Sequence, residues 1–236
     1  VQGLLEMAGI PCAGCGILSS ALCMDKDFAH RLIRLAGIKT PAGIVLHSKL
    51  PEAELRERTA LLRYPLFVKP ANAGSSFGIT KVYDIDNLAS AAETAFQHDR
   101  KVIVEEAVAG FEVGCAVLGN ETLTIGEIDE IELSRGFFDY TEKYTLKTSK
   151  IHMPARIDEG TAERVRQTAA AIYRVLGCSG FARVDMFLTP EKEIVFNEVN
   201  TIPGLTSHSR YPNMLKGVGM TLGQIADELI WLAMQP

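Results

Sequence analysis

The stretch Phe181-Ala182-Arg183-Val184-Asp185-Met186-Phe187-Leu188, followed after a short break by Ile194-Val195-Phe196-Asn197-Glu198-Val199-Asn200, constrains this chain more than any other. Both runs alternate with a period of two, which suits a strand buried on one face and does not suit a helix. On the first run Ala182, Val184, Met186 and Leu188 share an apolar face; Phe181, Arg183, Asp185 and Phe187 share the other. On the second, Val195 and Val199 are expected on the apolar face, and Ile194, Phe196, Glu198 and Asn200 on the face of Asp185. The break Thr189-Pro190-Glu191-Lys192-Glu193 is short enough to force an antiparallel hairpin. That hairpin sets Asp185 opposite Glu198, with Asn200 one pleat further along.

Like charges directly opposite one another destabilise a sheet. A hard cation reverses the sign, and Asp, Glu and Asn offer only oxygen ligands, the set that suits Mg²⁺. The alternative is a surface ion pair of Asp185 with Arg183, leaving Glu198 in solvent. Arg183 could instead hold a phosphate or an oxyanion. The pattern favours a metal site formed by Asp185, Glu198 and Asn200.

Short strand connections recur elsewhere. Residues 66–69 and 79–82 flank a Gly/Ser loop, and 102–105, 111–118 and 123–131 read as further strands, with Gly119-Asn120 as a turn. Helices are marked by caps: Asp25 before Phe28, Leu32 and Ile33; Asp86 before Leu88, Ala92 and Phe96; Asp158 before Val165, Ala169, Ile172 and Tyr173; and an amphipathic closing helix over 222–232. Gly37 and Gly177 read as helix stops. The expected class is α+β with antiparallel strands rather than a doubly wound sheet.

Composition excludes several functions. Lys and Arg number 24 against 29 Asp and Glu, for a net charge of −5, so the basic surplus of a nucleic-acid binder is missing. No apolar run approaches the ~20 residues that span a bilayer, and the start lacks the basic and apolar regions of a signal peptide. No membrane partner is expected. Five cysteines, with one unaccompanied Cys12-Ala13-Gly14-Cys15, read as thiols of a cytoplasmic protein rather than a zinc or disulfide framework. The chain opens without Met and within a helical pattern, as a piece of a longer protein would. The five histidines do not cluster: four read as surface residues, and His208 lies near the acidic hairpin's sequel without an assigned role.

Two more segments bear on chemistry. Lys69-Pro70-Ala71-Asn72-Ala73-Gly74-Ser75-Ser76-Phe77-Gly78 offers backbone N–H groups and a point charge to an anion, but it is not a P-loop, and alone it is no more than a turn. Residues 134–150 place Phe137, Phe138, Tyr140 and Tyr144 among charges with no clean period, which suggests a flap over a site. A Lys-bearing glycine loop, a later acidic strand end and a Mg²⁺-type hairpin together have the parts for a nucleoside triphosphate.

Met24-Asp25-Lys26, Phe67-Val68-Lys69-Pro70, Gly74-Ser75-Ser76-Phe77-Gly78, Glu142-Lys143-Tyr144, Arg183-Val184-Asp185 and Asn197-Glu198-Val199-Asn200-Thr201-Ile202-Pro203-Gly204 resemble the D-alanine–D-alanine ligases of the ATP-grasp superfamily, in order and across essentially the whole chain. The resemblance implies two α+β subdomains clamping ATP, at 21–109 and 110–236, with residues 1–20 as a remnant of an N-terminal substrate domain that is largely absent. It implies a cytoplasmic homodimer that uses ATP and two Mg²⁺ ions, for which Mn²⁺ can substitute. In that family ATP phosphorylates the first D-alanine, and the second substrate attacks the acyl phosphate.

The implied roles follow residue by residue. Lys26 and Lys69 would hold ATP phosphates under the loop that carries Ser75 and Ser76. Glu105 and the backbone of Ala107 and Val108 would take the adenine, and Glu112 the ribose. Asp185, Glu198 and Asn200 would bind the ions; Arg183 and the Gly204 amide would form the oxyanion hole. Lys143 would reach the transferring phosphate, while Tyr144 would close the flap on Ser75.

Choice of second substrate is implied by two places. Glu142-Lys143-Tyr144 is unlike the lactate-forming resistance ligases, which place a His in the flap. In Thr206-Ser207-His208-Ser209-Arg210-Tyr211-Pro212, Arg210 stands where housekeeping enzymes generally carry an apolar residue. With Ser209, Arg210 would meet the second substrate, and the combination looks most like the D-alanine–D-serine ligases of vancomycin resistance. The alternatives are a housekeeping D-alanine–D-alanine ligase and a non-catalytic nucleotide-binding module.

Overall fold

The protein's computed structural model describes residues 1–74, 77–133 and 149–235. Two short helices, α1 (Gln2–Met7) and α2 (Ile17–Met24), lead into α3 (Lys26–Leu35). The Asp25 side chain caps α3 by accepting from the Asp27 and Phe28 amides, as its position predicts. A four-stranded antiparallel sheet follows, built from β1 (Gly43–Leu46), β2 (Leu66–Pro70), β3 (Thr80–Val82) and β4 (Val102–Glu106) in the order β1-β4-β2-β3. Helices α4 (Glu52–Thr59) and α5 (Leu88–Phe96) cover one face, where Leu55, Leu88, Ala91 and Ala95 pack on Leu46, Leu66, Val68, Val102 and Val104. The cap before α5 is Asp84, not Asp86: its carboxylate accepts from the Asp86 and Asn87 amides and opens a 3₁₀ turn that runs on into the helix.

The second sheet is also antiparallel, with β5 (Phe111–Gly119), β6 (Leu123–Leu133), β7 (Ser149–His152), β8 (Phe181–Leu188) and β9 (Ile194–Asn200) in the order β7-β6-β5-β8-β9. This α+β arrangement is the expected one. On one face Val113, Cys115, Val117, Ala182, Val184 and Met186 form the main core with α6 (Glu159–Val175) and with Ala29 and Ile33 of α3. The opposite face is apolar only at one end. There Ala116, Leu118 and Phe181 lie under α7 (Arg210–Gly217) and α8 (Leu222–Ala233). The other end of that face is charged and holds the site described below.

Asp185 pairs with Glu198 and Arg183 with Asn200, in the register that strand alternation predicts. One residue later the ladder shifts, so that Met186 pairs with Phe196 and Asn197 is the extra residue of a bulge. Phe196 therefore lies on the apolar face, fully buried, and Val195 falls opposite Phe187. Both assignments reverse the alternation read from sequence. The core takes Phe196 and Val199, three residues apart, and an uninterrupted strand cannot put both on one face.

All five cysteines are free thiols, and only Cys12 is exposed. Burial pushes the Cys115 thiol up to about 12, which keeps it protonated and inert. Among the described residues no helix is long and apolar enough to cross a membrane.

Candidate active site

A cleft of about 890 Å³ opens where the N-terminus of α3, the turn at Ala73–Gly74, the ends of β8 and β9 and the loop 201–209 meet. Lys26 is the first residue of α3, so the Asp25 cap fixes where its side chain starts. Its ammonium donates to the Ala73 carbonyl at 2.7 Å and lies 3.3 Å from Glu198 Oε2. One cation thus ties the glycine turn to the acidic strand. Lys69 and Glu105 share a face of the first sheet, because Glu105 pairs with Phe67 two residues before Lys69. They form a buried ion pair at 2.5 Å, and the second oxygen of Glu105 is buried with no hydrogen-bond partner among the described residues. Just beyond β4, the Ala107 amide donates to the Pro65 carbonyl at 2.9 Å.

Arg183 and Asp185 are neighbours on one face of β8, and their pairing is two-pronged: Nε lies 2.8 and 3.1 Å from the two carboxylate oxygens and Nη2 lies 2.8 Å from Oδ2. The ion pair considered from sequence therefore exists, but it is buried rather than at the surface, and Glu198 is paired with Lys26. Burial works against the charge of Arg183; the adjacent Asp185 outweighs it and holds the pKa above the ordinary value. The Asn200 side-chain oxygen accepts from the Ile202 amide at 3.1 Å and so shapes the start of the loop. Further along, Gly204 lies close to Ser209, the N-cap of α7: a Cβ on Gly204 would stand 2.7 Å from Ser209 Oγ. That hydroxyl is itself held by the Thr206 amide and hydroxyl.

Arg210 lines the cleft but is not a free donor. Its Nε and Nη2 each lie 2.7 Å from Asp129, Nη1 lies 3.3 Å from Glu112 Oε1, and Nη2 lies 3.5 Å from Asp185 Oδ1. Burial again opposes its charge, and the carboxylates, Asp129 foremost, raise its pKa well above the ordinary value. Glu112, expected at the ribose, thus shares this arginine with Asp185, expected at the metal.

Sequence reading missed Asp129 and His30. Asp129 sits on β6 among Glu127 and Glu130, where nothing in the run sets it apart. His30 was expected at the surface. It is buried instead, with its Nε2 2.9 Å from the Asn197 carbonyl at the β9 bulge and its ring edge-on to Phe196. Its place on the inner stripe of α3, beside Ala29 and Ile33, was the available signal. His208 lines the cleft, as its position suggests. Ser75, Ser76, Lys143 and Tyr144 lie outside the described residues, as does the expected flap up to residue 148; its last two residues belong to β7.

The residues present suit a nucleotide and a hard cation. Asp185, Glu198 and Asn200 present oxygen donors on one sheet face, and the partnerless oxygen of Glu105 is an acceptor suited to an amino group. Residues 32–231 match the family model described as D-ala D-ala ligase C-terminus. The chain belongs to the D-alanine–D-alanine ligase family. It is 50% identical over 241 residues to the vancomycin B-type resistance protein VanB of Enterococcus faecalis, covering all of this chain and 69% of that protein. It is 43% identical over 240 residues to a D-alanine–D-alanine ligase of Caldicellulosiruptor bescii, covering all of this chain and 66% of that enzyme. Among solved structures, the VanG D-Ala:D-Ser ligase of Enterococcus faecalis superposes with a TM-score of 0.91 at 62% identity, over 98% of this chain and 68% of that one. The two sheets described above are those of the family's ATP-grasp portion.

Proposed function

We propose that this ligase joins D-alanine to D-serine at the expense of ATP, through a D-alanyl phosphate, for the modified peptidoglycan precursors of vancomycin resistance. The observation that carries the second substrate is Arg210, a partly buried guanidinium in the wall of the cleft, in a chain 62% identical to a D-Ala:D-Ser ligase. A carboxylate oxygen of D-alanine attacks the γ-phosphorus and ADP leaves. The amine of D-serine then attacks the acyl carbon; the amine loses a proton and inorganic phosphate departs.

Lys26 and Lys69 hold the triphosphate, and Ser75 and Ser76 contact it. Both lysines already face carboxylates, so they enter the reaction with fixed positions. Glu105 accepts from the adenine amino group, Ala107 and Val108 meet the purine edge through backbone groups, and Glu112 takes the ribose. Asp185, Glu198 and Asn200 would hold two Mg²⁺ ions, which offset the charge of the phosphates when bound. Arg183 and the Gly204 amide stabilise the oxygen on which charge develops, where fixed donors are worth most. Lys143 and Tyr144 close the site against water, which protects the acyl phosphate. Ser209 and Arg210 face the second substrate, and the enzyme works as a cytoplasmic homodimer.

Replacing Arg210 by Met or Leu tests the assignment. The ratio of kcat/KM for D-serine to that for D-alanine as second substrate should fall, whereas an unchanged ratio sinks the D-serine reading. A housekeeping D-alanine–D-alanine activity is the second reading, favoured by the likeness to the Caldicellulosiruptor enzyme.

A further inference from the structure

Arg210 is fixed by a row of three residues that lies across three strands. Gly114 on β5 pairs with Asp129 of β6 on one side and with Asp185 of β8 on the other. Directly opposed residues share a sheet face, so the row presents two carboxylates with a gap between them where Gly114 has no side chain. The guanidinium of Arg210, coming from the first turn of α7, occupies that gap. A Cβ on Gly114 would stand 2.3 Å from Arg210 Nη2 and 2.7 Å from Asp129 Oδ1. Asp129 also accepts from the Gly114 amide at 3.1 Å and is itself almost fully buried, so its carboxylate has no freedom to follow a moving arginine. Two parallel N–H···O contacts of 2.7 Å hold the guanidinium in one plane. Its other edge then reaches Glu112 and Asp185.

We propose that Asp129, with the gap at Gly114, is a positioning residue that sets second-substrate choice through Arg210. The proposal rests on the reading of Arg210 as a second-substrate residue given above. Asp129 does not touch substrate: it locks the arginine against the carboxylates assigned to the ribose and the ions. In this account Arg210 discriminates as part of a rigid, charge-balanced cluster rather than as a flexible hydrogen-bond donor. A change of Asp129 should therefore act on the choice of amine and not only on overall rate, which a merely structural role would lower for both amines alike.

The test is a double-mutant cycle of Asp129→Asn and Arg210→Met in the full-length protein, with Gly114→Ala beside it. Each is assayed for kcat/KM with D-serine and with D-alanine as second substrate, and for thermal midpoint. Asp129→Asn and Gly114→Ala should both lower the D-serine to D-alanine ratio, as Arg210→Met does. Adding Asp129→Asn to Arg210→Met should leave that ratio within about twofold, the scatter of independent effects. The double variant should melt no lower than the less stable single variant, because the Asp129 carboxylate that Arg210→Met alone would leave uncompensated is gone.

A ratio that falls in Arg210→Met but stays at the wild-type value in Asp129→Asn or Gly114→Ala overturns the positioning role alone. Equal shifts from Asp129→Asn in both backgrounds, or additive losses of melting temperature, overturn the lock. A flat ratio in Arg210→Met overturns the D-serine reading and this proposal with it.

Discussion

Replacing Lys69 by Met is the perturbation whose cost can be worked out most directly. Lys69 and Glu105 are each about 95% removed from solvent, with side-chain exposures of 5% and 6%, and their charged atoms are 2.5 Å apart. Among the described residues, one Glu105 oxygen is paired with this lysine and the other is buried without a hydrogen-bond partner. Removing the ammonium strands a buried carboxylate, and breaking a buried pair from one side costs about 3–5 kcal/mol. For a chain of this size each kcal/mol lowers the thermal midpoint by about 2–4 °C, so the fall should be roughly 6–20 °C. The Lys69→Met/Glu105→Gln double variant should recover most of that loss, because the uncompensated charge is gone. Scanning calorimetry of wild type, both single variants and the double variant, at neutral pH without nucleotide, measures the cycle. A Lys69→Met cost under about 1 kcal/mol, the value of an exposed pair, would refute the picture of a desolvated pair awaiting a ligand.

Other consequences are smaller but independent. Burial pulls His30 below its usual pKa of 6.5, so the unfolded chain binds the proton more readily and the contribution of the neutral ring is complete only above the unfolded value. Relative to His30→Gln, the wild-type advantage in melting temperature should therefore shrink as pH falls from about 7.5 to about 5.5; a constant advantage contradicts the assignment. Gly110 has a φ of +126°, and a Cβ there would lie 2.0 Å from the Leu188 carbonyl oxygen, whereas Gly37, at +80°, has open space around it. Gly110→Ala should cost at least about 1–3 kcal/mol more than Gly37→Ala in urea unfolding, and equal costs would show that the β5–β8 contact yields.

Much of the site could be read from the chain because its acidic hairpin is local. A period of two and a five-residue connection suffice to set Asp185 against Glu198, and the structure keeps that register. The Asn197 bulge was not legible, since it follows from the core's need for both Phe196 and Val199, which only tertiary packing reveals. The role of Asp129 is hidden for a similar reason. Its partners Gly114, Arg210 and Asp185 come from three other elements, and only the register of β5 with β6 and β8 sets them in a row. Gly114 offered a hint, because a glycine inside a largely apolar strand marks a close approach. The Asp84 cap was missed because Asp84 and Asp86 both precede the helix, and the 3₁₀ turn decides between them. His30 shows the opposite error: a polar residue on the inner stripe of α3 was placed outside on polarity alone.

Mass spectrometry of the products tests the central claim most directly. The full-length protein is mixed with ATP, Mg²⁺ and D-alanine, together with D-serine and D-lactate in equal amounts. ADP and phosphate should form together with D-alanyl-D-serine as the dominant condensation product, whereas a dominant D-alanyl-D-alanine or D-alanyl-D-lactate would contradict the D-serine assignment.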